Sequence, residues 1–436
     1  MAFSSNDCGY GAEGHLQPKS TFCSIPLQPP INGAFTAKLY QKCSTKMTNS
    51  SSAERLPAVD LARGIALLGV ALVNVHAFAA VWSTVYGLDL AKNSADVIAE
   101  YAIAVLFTHR SYPVLVFLFG VGLTWQWQHL PEYARKPNQL RPRLWALLLI
   151  GVAHGLLLWP GEVLTVYALM GLVLVSILRF SDRVILGVAI AVYLGTALLY
   201  SSLGASWLAL GSAPTPVVEP TASFALSSLR SALQSHRQEF LDRGLMQVLV
   251  PDFWAHALLG IWAGRSGALQ RFLLDPFGHR GVVIVGALLF SFGTTLEIMA
   301  ARYGGWDALV TQDTGIALMT LALLWASLGG LWLWLTISGV WAQRGDSGLK
   351  NLIVAAGRAP LTQFIGQSIV FAVLFNKSLV GLYGELGRGG YSLIAIATYG
   401  LLCAFIRAWL ASGHAHGPME VVWRRLTGLT SQQRTL

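Results

Sequence analysis

The sequence predicts an all-α fold, a polytopic transmembrane bundle of about ten helices with both termini cytoplasmic, and three observations carry that reading. Of 436 residues, 54% are hydrophobic and only 12% are charged, against roughly 25% charged in a typical soluble domain. A soluble fold of this size could not cover its surface with so few charges. The apolar residues also fall in blocks of about 20, the length of helix that crosses roughly 30 Å of hydrocarbon. Finally, the basic residues gather in alternate connections between those blocks, as the positive-inside rule requires.

Residues 1–54 are rich in Ser, Pro, Gly and Asn and hold no apolar run long enough for a signal peptide. They read as a disordered extension. Met47 opens a natural short start before the first apolar block, so residues 1–46 read as a mis-called start or a dispensable extension. Residues 55–436 then form a single transmembrane domain with a short cytoplasmic tail.

Its apolar segments run from Leu61 to Trp82, Ser111 to Trp127, Leu144 to Trp159, Val163 to Leu178 and Val184 to Leu203. Five more follow, at Leu245 to Trp262, Gly281 to Ala300, Thr314 to Trp341, Leu361 to Phe375 and Tyr391 to Leu410. Alternate connections carry Arg135, Lys136, Arg141 and Arg143, then Arg179 and Arg183, then Arg265, Arg271 and Arg280. Arg344, Lys350 and Arg358 continue the series, and Arg424, Arg425 and Arg434 close it. The opposite connections hold only Lys92, Arg110, Arg230, Arg237, Arg243, Arg302, Lys377 and Arg388. Three of these lie in the long 205–243 loop, where the bias counts least, so both ends are placed in the cytoplasm. Within that loop, Ser223 to Leu241 is amphipathic and reads either as an interfacial helix or as a plain connector.

The net charge of +9 does not point to nucleic acid, because the basic residues form neither a stripe nor a binding motif. Of four cysteines, Cys8, Cys23 and Cys43 precede the apolar body and only Cys403 lies inside it, which leaves no disulfide or metal spacing there. No Walker loop, Rossmann glycine pattern, HExxH or GxSxG is present.

Charges at membrane depth are costly and therefore candidates for function. Asp60 and Arg63, three apart in PAVDLARG, share a helix face. They read equally as a helix-start pair or as part of a ligand site, in which Arg63 and Arg358 grip an anion. His154 precedes the Trp159-Pro160-Gly161 turn and Glu162 follows it. If the flanking helices form a hairpin, the carboxylate orients the imidazole as general-base chemistry needs. The bland alternative is a buried histidine bonded to a backbone carbonyl beside a capping glutamate. Arg110 either binds an anion or snorkels. Asn74, His76, His256, Glu297, Gln363 and Gln367 read first as interhelical hydrogen-bonding groups. Gly120, Gly122, Gly260 and Gly264 read as points of close helix contact.

Several blocks in order resemble the YeiB-like bacterial membrane family, whose domain has no known function. They are DLARGIALLGVALVN at 60–74, FLFGVG at 117–122, HGLLLWPGEVLTVYALMG at 154–171, GRAPLTQFIGQS at 357–368 and GPMEVVWRRLT at 417–427. The family is similar in turn to membrane acyltransferases, in which acyl-CoA bound from the cytoplasm modifies an acceptor at the far face. That resemblance implies a site drawn from Asp60, Arg63, Asn74, Arg110, His154, Glu162, Tyr167, Arg358, Gln367 and Glu420. Two positions depart from the pattern. Glu162 stands where the family has Asp, and Asn74 stands where the better-known acyltransferases have a histidine.

The expectation that follows is acyl transfer, with His154, Glu162 and Arg110 catalytic and with Asp60, Arg63, Asn74, Tyr167, Arg358 and Gln367 binding donor or substrate. No permanent cofactor or metal is expected; acyl-CoA is the donor, and a cell-envelope glycan or lipid is the acceptor. The expected location is the bacterial cytoplasmic membrane. A transporter or flippase for a small or lipid-linked solute is the alternative, and a structural or assembly protein the third reading.

Overall fold

The computed structural model describes residues 56–80, 92–211, 223–302 and 313–428. The expected disordered segment at 1–54, with its three cysteines, lies outside these residues. Every regular element among the described residues is helical.

Helix α1, Pro57–Ala79, begins on a proline, whose missing N–H is one the first turn leaves unbonded in any case. It is buried over most of its length and packs against six other helices, five of them extensively, so it is the central post of the bundle. Its main neighbours are α3 (Ser111–Gln128), α11 (Asp313–Gln343), α12 (Gly348–Arg358), α13 (Pro360–Phe375) and α14 (Arg388–Ala411). The remaining long helices are α4 (Pro137–Leu157), α6 (Asp182–Gly211), α8 (Pro251–Arg265) and α10 (Arg280–Arg302).

Seven stretches among the described residues are long and apolar enough to cross a membrane alone, and two bent helix pairs raise the number to nine. One pair is α12 and α13, which meet at 93°, and the other is Leu229–Leu249 with α8, at 51°. The expected crossing at Val163–Leu178 forms α5, Leu164–Leu174, an apolar helix of only 11 residues. Each of the ten apolar blocks therefore has a helical counterpart, although three are bent or short. A long helix between the first two blocks was not expected. Ser94–Leu106, α2, leads into α3 through a turn at Phe107–Arg110, and the two together make one 35-residue apolar stretch.

The amphipathic stretch of the long loop folds back on the bundle. Its helix α7, Leu229–Glu239, buries Ala232 and His236, and His236 lies against Phe224, whose ring meets Phe78 of α1. Three of the four noted glycines sit where backbones touch. A Cβ on Gly260 of α8 would stand 2.8 Å from the carbonyl carbon of Phe117 in α3, and one on Gly264 would stand 3.2 Å from Val121 Cα. Gly120 meets the α8 backbone in the same crossing, whereas nothing approaches Gly122 within 4 Å. Gly122 opens a cavity instead.

Candidate functional site

Two cavities lie end to end along α1. One, of about 270 Å³, is lined at the N-terminal end of α1 by Arg63, by Gly122 and Gln126 of α3, by Arg143 of α4, and by Glu420 and Trp423 of α15 (Pro418–Leu426). The rest of its wall is aliphatic and aromatic. The other, of about 340 Å³, lies toward the C-terminal end of α1 and is lined by Asn74, His109, Tyr112, Trp159, Phe253 and Glu239, among others. No Lys or Arg lines this second cavity among the described residues. Leu115, Val163, Tyr167 and Phe364 line both. These four side chains are a shared wall between a basic chamber and an aromatic one.

The basic chamber is built from local rules. Arg63 Nη1 lies 3.1 Å from Asp60 Oδ1, one helical turn away, and 3.0 Å from the carbonyl oxygen of Gly357. The second bond exists because Gly357 has no side chain: a Cβ there would press on the Asp60 backbone, at 2.9 Å from its Cα. Arg143 donates to Gln126 Oε1, and its own carbonyl accepts Trp423 Nε1–H at 2.8 Å. Glu420 faces the same chamber, yet its carboxylate is occupied at the start of α13. It accepts the N–H of Leu361 at 2.7 Å, that of Thr362 at 3.2 Å and the Thr362 hydroxyl at 2.5 Å. This is a helix cap supplied by a distant helix, anchoring α15 to α13. Arg358, expected beside Arg63, is exposed at the end of α12 and lines neither cavity; the second cation in the chamber is Arg143.

Helices α4 and α5 do pack as a hairpin, which brings His154 Nδ1 within 3.8 Å of Glu162 Oε2, both side chains buried. The carboxylate caps α5, accepting the N–H groups of Leu164 and Thr165 at 2.7 Å each. Neither nitrogen of His154 has a hydrogen-bond partner in the structure. The imidazole packs on Phe364, with ring centres 5.3 Å apart, and so stands behind the shared wall. Tyr167 is in that wall itself, and its buried hydroxyl also lacks a partner.

Arg110 is fully buried and lines neither cavity. Its guanidinium pairs with Glu297 of α10, donates to Thr294 Oγ1 at 2.8 Å, and holds the carbonyls of Ala104 and Thr108 at 2.9 and 2.6 Å. Its charge is thus used to clamp the α2–α3 turn. Asn74 lines the aromatic chamber. Gln367 and Gln363 bond main-chain carbonyls of Leu67 and Tyr399, each at 3.4 Å. His76 bonds the Leu72 carbonyl at 2.9 Å, and His256 bonds both that of Asp252 and the hydroxyl of Tyr193.

Sequence reasoning missed Arg143, His109, Tyr112 and Asp252 as neighbours of the cavities. Asp252 carried a signal, because a carboxylate two residues into an apolar helix after a proline is costly in lipid. His109 and Tyr112 carried none beyond their residue type.

The fold and its two chambers define a multi-pass helical membrane protein. Residues 263–430 match the family model described as Protein of unknown function (DUF418). The chain is similar to the uncharacterized protein YxaH of Bacillus subtilis, at 25% identity over 87% of this chain and 96% of that protein. It is also similar to the uncharacterized protein YeiB of Escherichia coli, at 27% identity over 86% and 96% respectively. The resemblance to a YeiB-like membrane family of unknown function is thereby borne out.

Proposed function

We propose that this protein transfers an acyl group from an anionic donor held in the basic chamber to an acceptor held in the aromatic one. The observation that carries the reading is the pair of cavities of unlike polarity sharing the wall of Leu115, Val163, Tyr167 and Phe364. Two guanidiniums over an apolar wall suit a donor with a phosphate-bearing head and a long apolar arm, the chemistry of an acyl-CoA. A chamber with aromatic walls, the amides of Asn74 and Gln247, an imidazole, the carboxylate of Glu239 and no Lys or Arg suits a hydroxyl-bearing acceptor that carries no negative charge, such as a group on a cell-envelope glycan or lipid. The acyl end of the donor reaches the acceptor where Phe364 and Tyr167 yield.

In this reading the basic chamber opens to the cytoplasm, both termini lie there, and the protein resides in the bacterial cytoplasmic membrane. The alternating basic connections support that orientation. His154, packed on Phe364, and Glu162, capping α5, hold the wall in place from behind. The test is incorporation of label from acyl-CoA into membrane material by vesicles carrying the protein. Arg63→Ala with Arg143→Ala is expected to raise the donor requirement at least ~10-fold, the effect of losing charge-assisted contacts of about 1.5–3 kcal/mol. Undiminished transfer by His154→Ala would remove that side chain from the mechanism.

The same shared wall favours a second reading, in which it gates the passage of a solute. Accumulation of a solute without covalent modification would establish that reading instead.

A further inference from the structure

One buried carboxylate is not used by the reading above. Asp252, the second residue of α8, is 5% exposed, and its Oδ2 accepts the hydroxyl hydrogen of Tyr112, while Oδ1 has no hydrogen-bond partner in the structure. Tyr112 stands in the first turn of α3 and lines the aromatic chamber beside Asn74 and His109. Its ring is stacked on Phe253 at 5.0 Å between centres and 15° between planes. The phenol therefore has a fixed place, one side toward the chamber and the other toward a carboxylate.

Both members are held from behind. The turn before Tyr112 is clamped by Arg110, and within it His109 has a φ of 56°, the only left-handed non-glycine backbone among the described residues. Such conformations cost about 1–3 kcal/mol and persist where the surroundings over-determine them, which is common at working sites. On the other side, His256 Nδ1 lies 2.7 Å from the carbonyl oxygen of Asp252 and Nε2 lies 2.5 Å from Tyr193 Oη of α6. A carbonyl only accepts, so Nδ1 carries the hydrogen and the neutral ring accepts from Tyr193 through Nε2. That pins the backbone of Asp252.

A carboxylate inside an apolar bundle needs a reason. Tying α3 to α8 is not a sufficient one, because the two backbones already touch at Gly120 and Gly260. We propose that Tyr112 and Asp252 form the proton-accepting pair of the aromatic chamber. The inference rests on the acyl-transfer reading and assigns its base, which His154 cannot supply directly from behind Phe364.

The acceptor hydroxyl oxygen bonds to the acyl carbon of a thioester donor; its proton passes to Tyr112 Oη as the phenol proton moves to Asp252. The carbon–sulfur bond breaks, and the thiolate is protonated by the return of that proton through Tyr112. Tyr112 is the catalytic residue, and Asp252 acts through it.

The test uses the full chain in bacterial membrane vesicles, with labelled acetyl-CoA as probe and rates expressed per folded protein by fluorescence-detected gel filtration. Tyr112→Phe and Asp252→Asn are expected to lower kcat at least ~100-fold, the lower end of what a positioned acid–base group supplies. KM for acetyl-CoA stays within about twofold, since the donor sits in the other chamber. Asp252→Glu, which keeps the carboxylate, restores part of the rate, whereas Asp252→Asn, whose amide oxygen can still accept from Tyr112, does not; a purely structural tie would tolerate the amide. A wild-type protein that transfers label while Tyr112→Phe keeps its kcat overturns the pair and leaves acyl transfer standing. A wild-type protein that transfers no label overturns both. Should Asp252→Asn fail to accumulate, Tyr112→Phe, which removes one oxygen only, decides the matter.

Discussion

Arg110 shows how much a single charge depends on a partner far away in the chain. Read alone at the end of an apolar block, it offers a free cation for an anionic group; in the fold, Glu297, 187 residues later, neutralises it. Removing one member of a buried ion pair leaves an uncompensated charge, at a cost of about 3–5 kcal/mol, whereas replacing both with apolar residues is close to neutral. Arg110→Ala is therefore expected to lower the thermal unfolding midpoint in detergent markedly, and Arg110→Leu with Glu297→Leu to recover most of the loss. Because the clamp also holds His109 and Tyr112, the double variant is expected to regain stability without regaining transfer. His154 behaves in the opposite way. With both ring nitrogens lacking a hydrogen-bond partner, it contributes no bond that a leucine would lose, so His154→Leu is expected to keep its unfolding free energy within about 1 kcal/mol of wild type. A larger loss, measured in the same melts, would mean that the imidazole has a structural bond.

At the scale of helices, the bundle is assembled by close approaches that only glycine permits. Gly260→Val is expected to force α3 from α8 and abolish the monodisperse peak in gel filtration, because the added carbons would meet the Phe117 backbone. Gly122→Val is expected to fold normally, since nothing lies within 4 Å of that Cα–Cβ direction, and to weaken acyl-CoA binding by filling the basic chamber. Much of this scale was legible in the chain. All ten apolar blocks are helical, the His154–Glu162 hairpin was readable from Trp159-Pro160-Gly161, and Pro360 marks the start of α13. Several shorter helices were not legible, two of them for plain physical reasons. Ser94–Leu106 carries Asp96 and Glu100, which read as a connector until Gly389 N–H and Arg388 are found to bind them at 2.7 and 2.9 Å. Gly348–Arg358 is amphipathic and too short to cross, so hydropathy passes over it. The pairing of Arg63 with Arg143 was hidden for another reason. It depends on which helix faces α1 at that height, and periodicity along one helix says nothing of its neighbours.

For the molecule as a whole, the basic chamber, Arg143 and the helix α15 with Arg424 and Arg425 lie at one end of the bundle, the end that the proposed orientation turns to the cytoplasm. Reporter fusions at the two ends are expected to show both in the cytoplasm, while a reporter in the 205–243 loop is expected outside. Opposite compartments for the two ends would detach the chambers from their assigned sides. Acyl transfer across the wall between the chambers is read in sealed vesicles of known orientation, with labelled acyl-CoA supplied to one face at a time. Label is expected in covalently modified material on the far face only when the donor meets the face that bears Arg63 and Arg143. Equal labelling from either face, or uptake of a solute with no covalent product, would mean that no acyl group crosses the wall from the basic chamber.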